Sequence, residues 1–397
     1  MTTGQAPRRV LPVIVCSQFC GTSLWFAANA VMPDLQRAWH LPAAAVGTLT
    51  SAVQLGFVCG TLVFALMMVV DRFRPTRVFL ACALAGAVAN AAAVLLDGQW
   101  DLLLALRFAT GFLLAGIYPV GMRIAAAWYS QGLGAAMGVL IGALVLGTAM
   151  PHGLRALGAA LPWQAVLIAV SLLAALGGLA TAWLVPDSPH AARGQPITPR
   201  GLAVMWTDRR VRASVFGYFG HMWELYSFYV LVPLILSTRL AGDAVSAAAF
   251  WIIAVGLLGC VAGGLLVQRF GSARVAATHL ATSGACALAA PLMLQAPLPL
   301  FMAWLLLWGI TVVGDSPQFS TMTAQLAPPA MVGSVLTFAN SIGFAITVGS
   351  IELFVRGTQA FALSTLLPWL ALGPAFGLWM LRPLCRAAPR AASLGSA

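Results

Sequence analysis

Lysine is absent from this 397-residue chain, and all 21 basic residues are arginine. Charge of either sign is scarce: 8% of residues carry it, where a soluble domain carries roughly a quarter. So few charges cannot cover a water-soluble fold, which excludes a soluble enzyme or binding module. The seven cysteines include no Cys-x-x-Cys pair, so they read as small packing residues rather than as disulfides or metal ligands. Cys16 and Cys20 share a helix face without a further ligand at metal spacing. Met-x-x-x-Met and His-x-x-x-Met pairs are missing too, and adjacent His221 and Met222 diverge on a helix, which argues against a copper carrier. No nucleophile with its base is visible, so neither enzymatic chemistry nor a cofactor is expected.

What is present is apolar. Hydrophobic residues make up 61% of the chain, in blocks long enough, at about 20 residues and 1.5 Å per residue, to cross a hydrocarbon core of about 30 Å. Twelve spans are predicted, near residues 10–31, 43–69, 78–96, 101–121, 133–156, 163–185, 213–237, 245–267, 275–295, 299–317, 331–354 and 362–381. The apolar runs are continuous rather than alternating, so the spans are helices and the fold class is an all-α membrane protein.

With a cytoplasmic N-terminus, sixteen arginines fall in inside segments, among them Arg8, Arg9, Arg72, Arg77, Arg123, Arg193, Arg269, Arg274 and Arg390. Only Arg37, Arg155, Arg239 and Arg356 fall outside. This satisfies the positive-inside rule and places both termini in the cytoplasm. Topology also accounts for the net charge of +11, since a nucleic-acid binder would gather its arginines on one soluble face. Arg8 and Arg9 ahead of an apolar run and Ala28-Asn29-Ala30 imitate a signal peptide, but cleavage would leave eleven spans and reverse the arginine count. The expected setting is the lipid bilayer of a bacterial inner membrane.

Pro186 to Arg212 holds five arginines and no insertable apolar run. It divides the chain into an N-terminal six-helix bundle (1–185), a cytoplasmic linker (186–212) and a C-terminal six-helix bundle (213–397). The bundles repeat. Asp71-Arg72-Phe73-Arg74-Pro75-Thr76-Arg77 after span 2 corresponds to Gln268-Arg269-Phe270-Gly271-Ser272-Ala273-Arg274 after span 8, at an offset of 197. Gly111 and Pro119 of span 4 match Gly309 and Pro317 of span 10 at an offset of 198. Parallel six-helix repeats build one large class of secondary transporters, with the solute site near the midplane between the halves.

Twelve spans, a long central loop and the Asp71-Arg72-Phe73 loop closing on Arg77 resemble the major facilitator superfamily over the whole chain. The superfamily's Gly-x-x-x-Asp-Arg-x-Gly-Arg-type loop is matched in part. Asp71, Arg72 and Arg77 remain in the first half, where Met67 and Arg74 replace the glycines; Gly264, Arg269, Gly271 and Arg274 fit in the second, where Gln268 replaces the acid. The resemblance implies that these loops hold the cytoplasmic side closed, and that the protein works as a monomer. Leu103, Arg107 and Gly111 stand at the spacing of the superfamily's span 4 arginine motif. An arginine within a span costs roughly 2.5–3.5 kcal/mol, so Arg107 is expected to face a cavity or an acid, or else to snorkel outward. Gly138, Gly142, Gly147, Pro151 and Gly153 of span 5 look like a degraded form of the glycine-rich motif of proton antiporters, with Met150 before the proline. Small residues at that spacing equally serve close helix packing.

Polar residues inside spans need a partner, water or a task. Tyr218, His221 and Glu224 share a face of span 7, and Gln18, Thr22, Trp25 and Asn29 form a stripe on span 1. Asp315 precedes Pro317 near the end of span 10, where proline withholds a backbone donor and bends the helix. His152 lies in span 5 and Asn340 and Ser341 in span 11. The resemblance places spans 1, 4, 7 and 10 around the central cavity, and with them Gln18, Arg107, His221, Glu224 and Asp315. Glu224 and Asp315 are candidates to take up and release protons, with His221 as relay or substrate ligand; the alternative is a hydrogen-bonded contact between helices. Asp34 and Glu352, near span ends, are assigned no role. The expected function is proton-coupled transport of a small-molecule organic substrate by alternating access, with efflux of a metabolite, siderophore or drug ahead. The second reading is uptake of an organic anion, with Arg107 as carboxylate partner.

Overall fold

A computed structural model describes residues 7–129, 133–158, 161–188 and 196–386; Arg193 and Arg390 lie outside them. Among the described residues all regular structure is helical. Among the described residues eleven helices are long and apolar enough to cross a membrane, and they supply spans 2 to 12: Ala45–Leu66, Pro75–Leu95, Trp100–Trp128, Gly134–Leu157, Trp163–Leu184, Arg209–Ser237, Asp243–Phe270, Ser272–Met293, Leu298–Leu326, Pro329–Gly357 and Leu363–Arg386. Span 1 is assembled from pieces instead. Val10–Thr22 stops, and Ala27–Ala30 and Met32–Trp39 carry the chain onward. Hydroxyls prepare the break: Thr22 Oγ1 donates to the Gln18 carbonyl at 2.8 Å and Ser23 Oγ to the Cys20 carbonyl at 2.6 Å, local bonds that compete with the helical ladder.

Spans 4 and 10 are broken as well, at matching positions. Span 4 runs as Trp100–Leu114 and then Tyr118–Trp128, and span 10 as Leu298–Gly314 and then Ser316–Leu326. Both therefore extend well past the ends expected at 121 and 317. Pro119 and Pro317 do not end these helices; each sits in the first turn of a new one, where an absent N–H leaves nothing unpaired. The linker region is also partly ordered. Pro199–Thr207 forms a short helix against span 11, where the Thr198 N–H donates to Ser334 Oγ at 3.1 Å.

Glycine sets how closely the helices approach. A Cβ on Gly111 would lie 2.0 Å from the Val53 carbonyl oxygen, and one on Gly309 would lie 2.0 Å from that of Ile252. Spans 2 and 4, and likewise 8 and 10, thus meet backbone to backbone. The two halves meet where span 5 packs on span 8 and span 2 on span 11. Gly138, Gly142 and Gly153 of span 5 face Cys260, Leu257 and Phe250 of span 8, while Gly147 faces Phe19 and Thr22 of span 1. The glycine pattern of span 5 is thus a packing surface, most of it along the seam between the halves. Gly111→Val and Gly309→Val are each expected to destabilise the protein by about 1–3 kcal/mol through overpacking. Gly349→Ala, at a glycine with nothing within 4 Å, should stay within about 0.5 kcal/mol of wild type. Thermal unfolding of the detergent-purified protein measures all three.

Candidate functional site

A cavity of about 620 Å³ opens between the halves at the arginine-poor face. Asn29, Met32 and Asp34 of span 1, His152 and Arg155 of span 5 and Tyr229 of span 7 contribute to its wall. Asn29 Nδ2 donates to Thr50 Oγ1 at 2.7 Å, whereas Asn29 Oδ1, His152 Nε2 and the Tyr229 hydroxyl are buried without a hydrogen-bond partner. At the mouth Asp34 lies 2.7 Å from Arg37 and 3.1 Å from Arg155. Asp34, given no role from sequence, thus ties span 1 to span 5 beside the opening. Its place near a span end concealed that role, because the partner Arg155 is 121 residues away.

None of the five residues expected around one space is among those that line this cavity. Arg107 is buried in the N-terminal half, where Nη2 donates to the Leu24 and Trp25 carbonyls, both at 2.8 Å, and Nη1 to Asn90 Oδ1 at 3.0 Å. It neither faces the cavity nor meets an acid. A broken helix presents carbonyls that its own ladder does not satisfy, and a guanidinium supplies a fork of fixed donors for them. Gln18 is buried against span 4, so close that a Cβ on Gly121 would lie 2.2 Å from its Oε1.

The other three occupy the interior of the C-terminal half. His221 Nδ1 lies 2.8 Å from Asp315 Oδ1, and both side chains are 1% exposed. Glu224 accepts from Trp308 Nε1 at 2.7 Å and from Ser283 Oγ at 2.9 Å, so it faces spans 9 and 10. His279 of span 9 completes the group. Its imidazole lies over Gly314, where a Cβ would come within 2.1 Å of the ring. Sequence reasoning missed His279 because span 9 does not border the expected cavity; a histidine inside an apolar span was the available signal. Among the described residues no group of three or more His, Cys, Asp or Glu side chains could hold a metal ion.

Residues 14–350 match the Major Facilitator Superfamily. The chain belongs to that superfamily. Its fold is similar to that of the human organic anion transporter MFSD10 (TETRAN), with a TM-score of 0.73 and 16% identity over 94% of this chain and 99% of that one. It is also similar to a mutant of the nucleoside transporter NupG, with a TM-score of 0.71 and 14% identity over 94% and 99% of the two chains. No curated protein matches the chain in sequence.

The superfamily's loop motif is built on one side by Asp71 and Arg123. The Arg123 guanidinium engages both carboxylate oxygens of Asp71, one of them at 3.3 Å. Arg74 reaches Asp187 of the linker at 3.2 Å. Arg72, Arg77 and Arg274 are exposed at the same face, and the Arg269 guanidinium lies 5.3 Å from the Phe270 ring centre. Gly271 has φ +81° where span 8 ends, a conformation open to glycine and strained for other residues. Because Arg107 donates to the Leu24 and Trp25 carbonyls, Arg107→Ala is expected to cost about 3 kcal/mol as those buried carbonyls lose a charged donor. Arg107→Lys should recover little of that stability, a single ammonium being unable to serve three acceptors in a plane. Thermal unfolding in detergent reads both.

Proposed function

We propose that this superfamily member is a proton-coupled secondary transporter of a small organic solute, working across a bacterial inner membrane with both termini cytoplasmic. The observation that carries the coupling is the buried His221–Asp315 pair at the break of span 10. A carboxylate at that depth needs a partner or a proton. Adding a proton to Asp315 removes the charge that holds His221, and with it a tie between span 7 and the hinge of span 10. Glu224 makes a second tie from span 7 to the same helix through Trp308, and His279 presses on the hinge from span 9. A local change of charge at a helix break is a recognised way to bias two packings of one bundle.

Solute and proton occupy separate places in this scheme. The solute enters the cavity between the halves, and the proton binds inside the C-terminal half. Span 7 joins them, since Tyr229 lines the cavity about 12 Å along the helix from His221 at 1.5 Å per residue. Both structural neighbours are, by name, transporters of small organic solutes. Efflux is the favoured direction, on the largely apolar and aromatic surroundings of the cavity. Anion uptake is the second reading, and it rests on Arg155 in the cavity wall, because Arg107 is committed to the span 1 break.

The test uses proteoliposomes with an imposed pH gradient and an internal pH dye, challenged with a panel of siderophores, drugs and organic acids. A transported solute should move protons in wild type, and Asp315→Asn should reduce that movement by about tenfold or more while still binding the solute in a thermal-shift assay. Unchanged proton movement in Asp315→Asn would remove the coupling assignment.

A further inference from the structure

A layer of aromatic rings crosses the seam between the halves and reaches the cavity wall through Tyr229, and the proton site gives no reason for it. Trp25 and Phe57 come from the N-terminal half and Tyr226, Tyr229 and Phe344 from the C-terminal half, none more than 3% exposed. Trp25 is the centre. Its ring lies 5.8 Å from Tyr226 and 5.5 Å from Phe344, at interplanar angles of 24° and 25°, and 4.8 Å from Phe57. The indole is fixed at both ends: Nε1 donates to Gln54 Oε1 at 3.2 Å, and the residue's carbonyl accepts from Arg107 at 2.8 Å.

Aliphatic side chains would suffice if the layer only closed the seam. Instead Gln54 Nε2, Asn29 Oδ1 and the Tyr229 hydroxyl are buried beside the rings without a hydrogen-bond partner, an unfavourable state that a dry closure contact has no reason to keep. Asn29 and Tyr229 also line the cavity, so two of these three polar groups belong to residues that join the open space to the aromatic layer. The two faces of the stack belong to different halves, and rocking one half against the other parts them into flat slots. The five rings and the side chains of Gln54 and Asn29 carry no charge, while Asp34, Arg37 and Arg155 of the cavity wall pair with one another at the mouth.

We propose that the transported solute is an uncharged planar heteroaromatic ring, with a hydrogen-bond donor and an acceptor on its edge, that inserts between Trp25 and the Tyr226 and Phe344 rings. The Gln54 amide and the Tyr229 hydroxyl donate to its acceptor, and Asn29 Oδ1 accepts from its donor. Offset stacking on the fixed indole selects flat rings over saturated ones of equal size. This rests on the reading of the same cavity as the solute site of a transporter.

The experiment measures thermal stabilisation of the full chain in lipid nanodiscs by adenine, nicotinamide and the saturated control cyclohexanecarboxamide. Adenine and nicotinamide should stabilise wild type in a concentration-dependent way and cyclohexanecarboxamide should not. Trp25→Leu should weaken the apparent affinity by about tenfold, and Trp25→Phe by less. Should Trp25→Leu not fold, Tyr226→Leu asks the same question from the other half. Equal stabilisation by the saturated amide, silence of both planar probes, or unchanged affinity in the ring variants overturns the proposal. Proton movement driven only by non-planar solutes in proteoliposomes would overturn it while leaving the transporter reading intact; planar binding without any proton movement would do the reverse.

Discussion

Backbone carbonyls inside a bilayer have no water to turn to, and the architecture of this protein follows from how the broken helices of spans 1, 4 and 10 satisfy theirs. At the span 1 break Arg107 donates to Leu24 and Trp25. At the span 10 break the Asp315 carbonyl accepts from the N–H groups of Gln318 and Phe319 at 2.9 and 3.1 Å. At the span 4 break the Ile117 carbonyl accepts from the Gly121 N–H at 2.9 Å. At each break these carbonyls find donors although the helical geometry is lost.

Those solutions divide the work between the halves. In the N-terminal half the buried cation positions backbone, and through it the Trp25 ring. In the C-terminal half buried acids meet a histidine, a serine and an indole rather than a permanent cation. A carboxylate whose partners are neutral or titratable can change its protonation without stranding an opposite charge, whereas one beside arginine cannot. The pseudo-symmetric bundle therefore buries a cation among backbone carbonyls in one half and acids among neutral donors and a histidine in the other, the two in contact along the glycine seam of spans 5 and 8.

Much of this was legible in the chain. The apolar blocks, arginine asymmetry and matched loops marked the twelve spans and the two halves, because insertion into lipid constrains composition over long stretches. Pro317 marked the break in span 10, while its match Pro119 was noticed only as part of the repeat; both restart helices rather than end them. The candidate site was less legible. Gln18, Arg107, His221, Glu224 and Asp315 were noticed as polar residues inside spans, but not that Gln18 and Arg107 lie in one half and His221, Glu224 and Asp315 in the other. Helical spacing gives the face a residue occupies on its own helix and leaves open which neighbour that face meets.

The sequence by itself determined that the protein crosses a membrane as helices, that its halves repeat and which residues resist burial in lipid. Those properties follow from local composition, since the bilayer acts on each segment alike. Only the tertiary structure decided that Arg107 serves a broken backbone, that His221 and Asp315 form one pair and that Asp34 guards the cavity mouth with Arg155. Each of these joins residues dozens or more positions apart, and their meeting depends on the angle and depth at which whole helices pack.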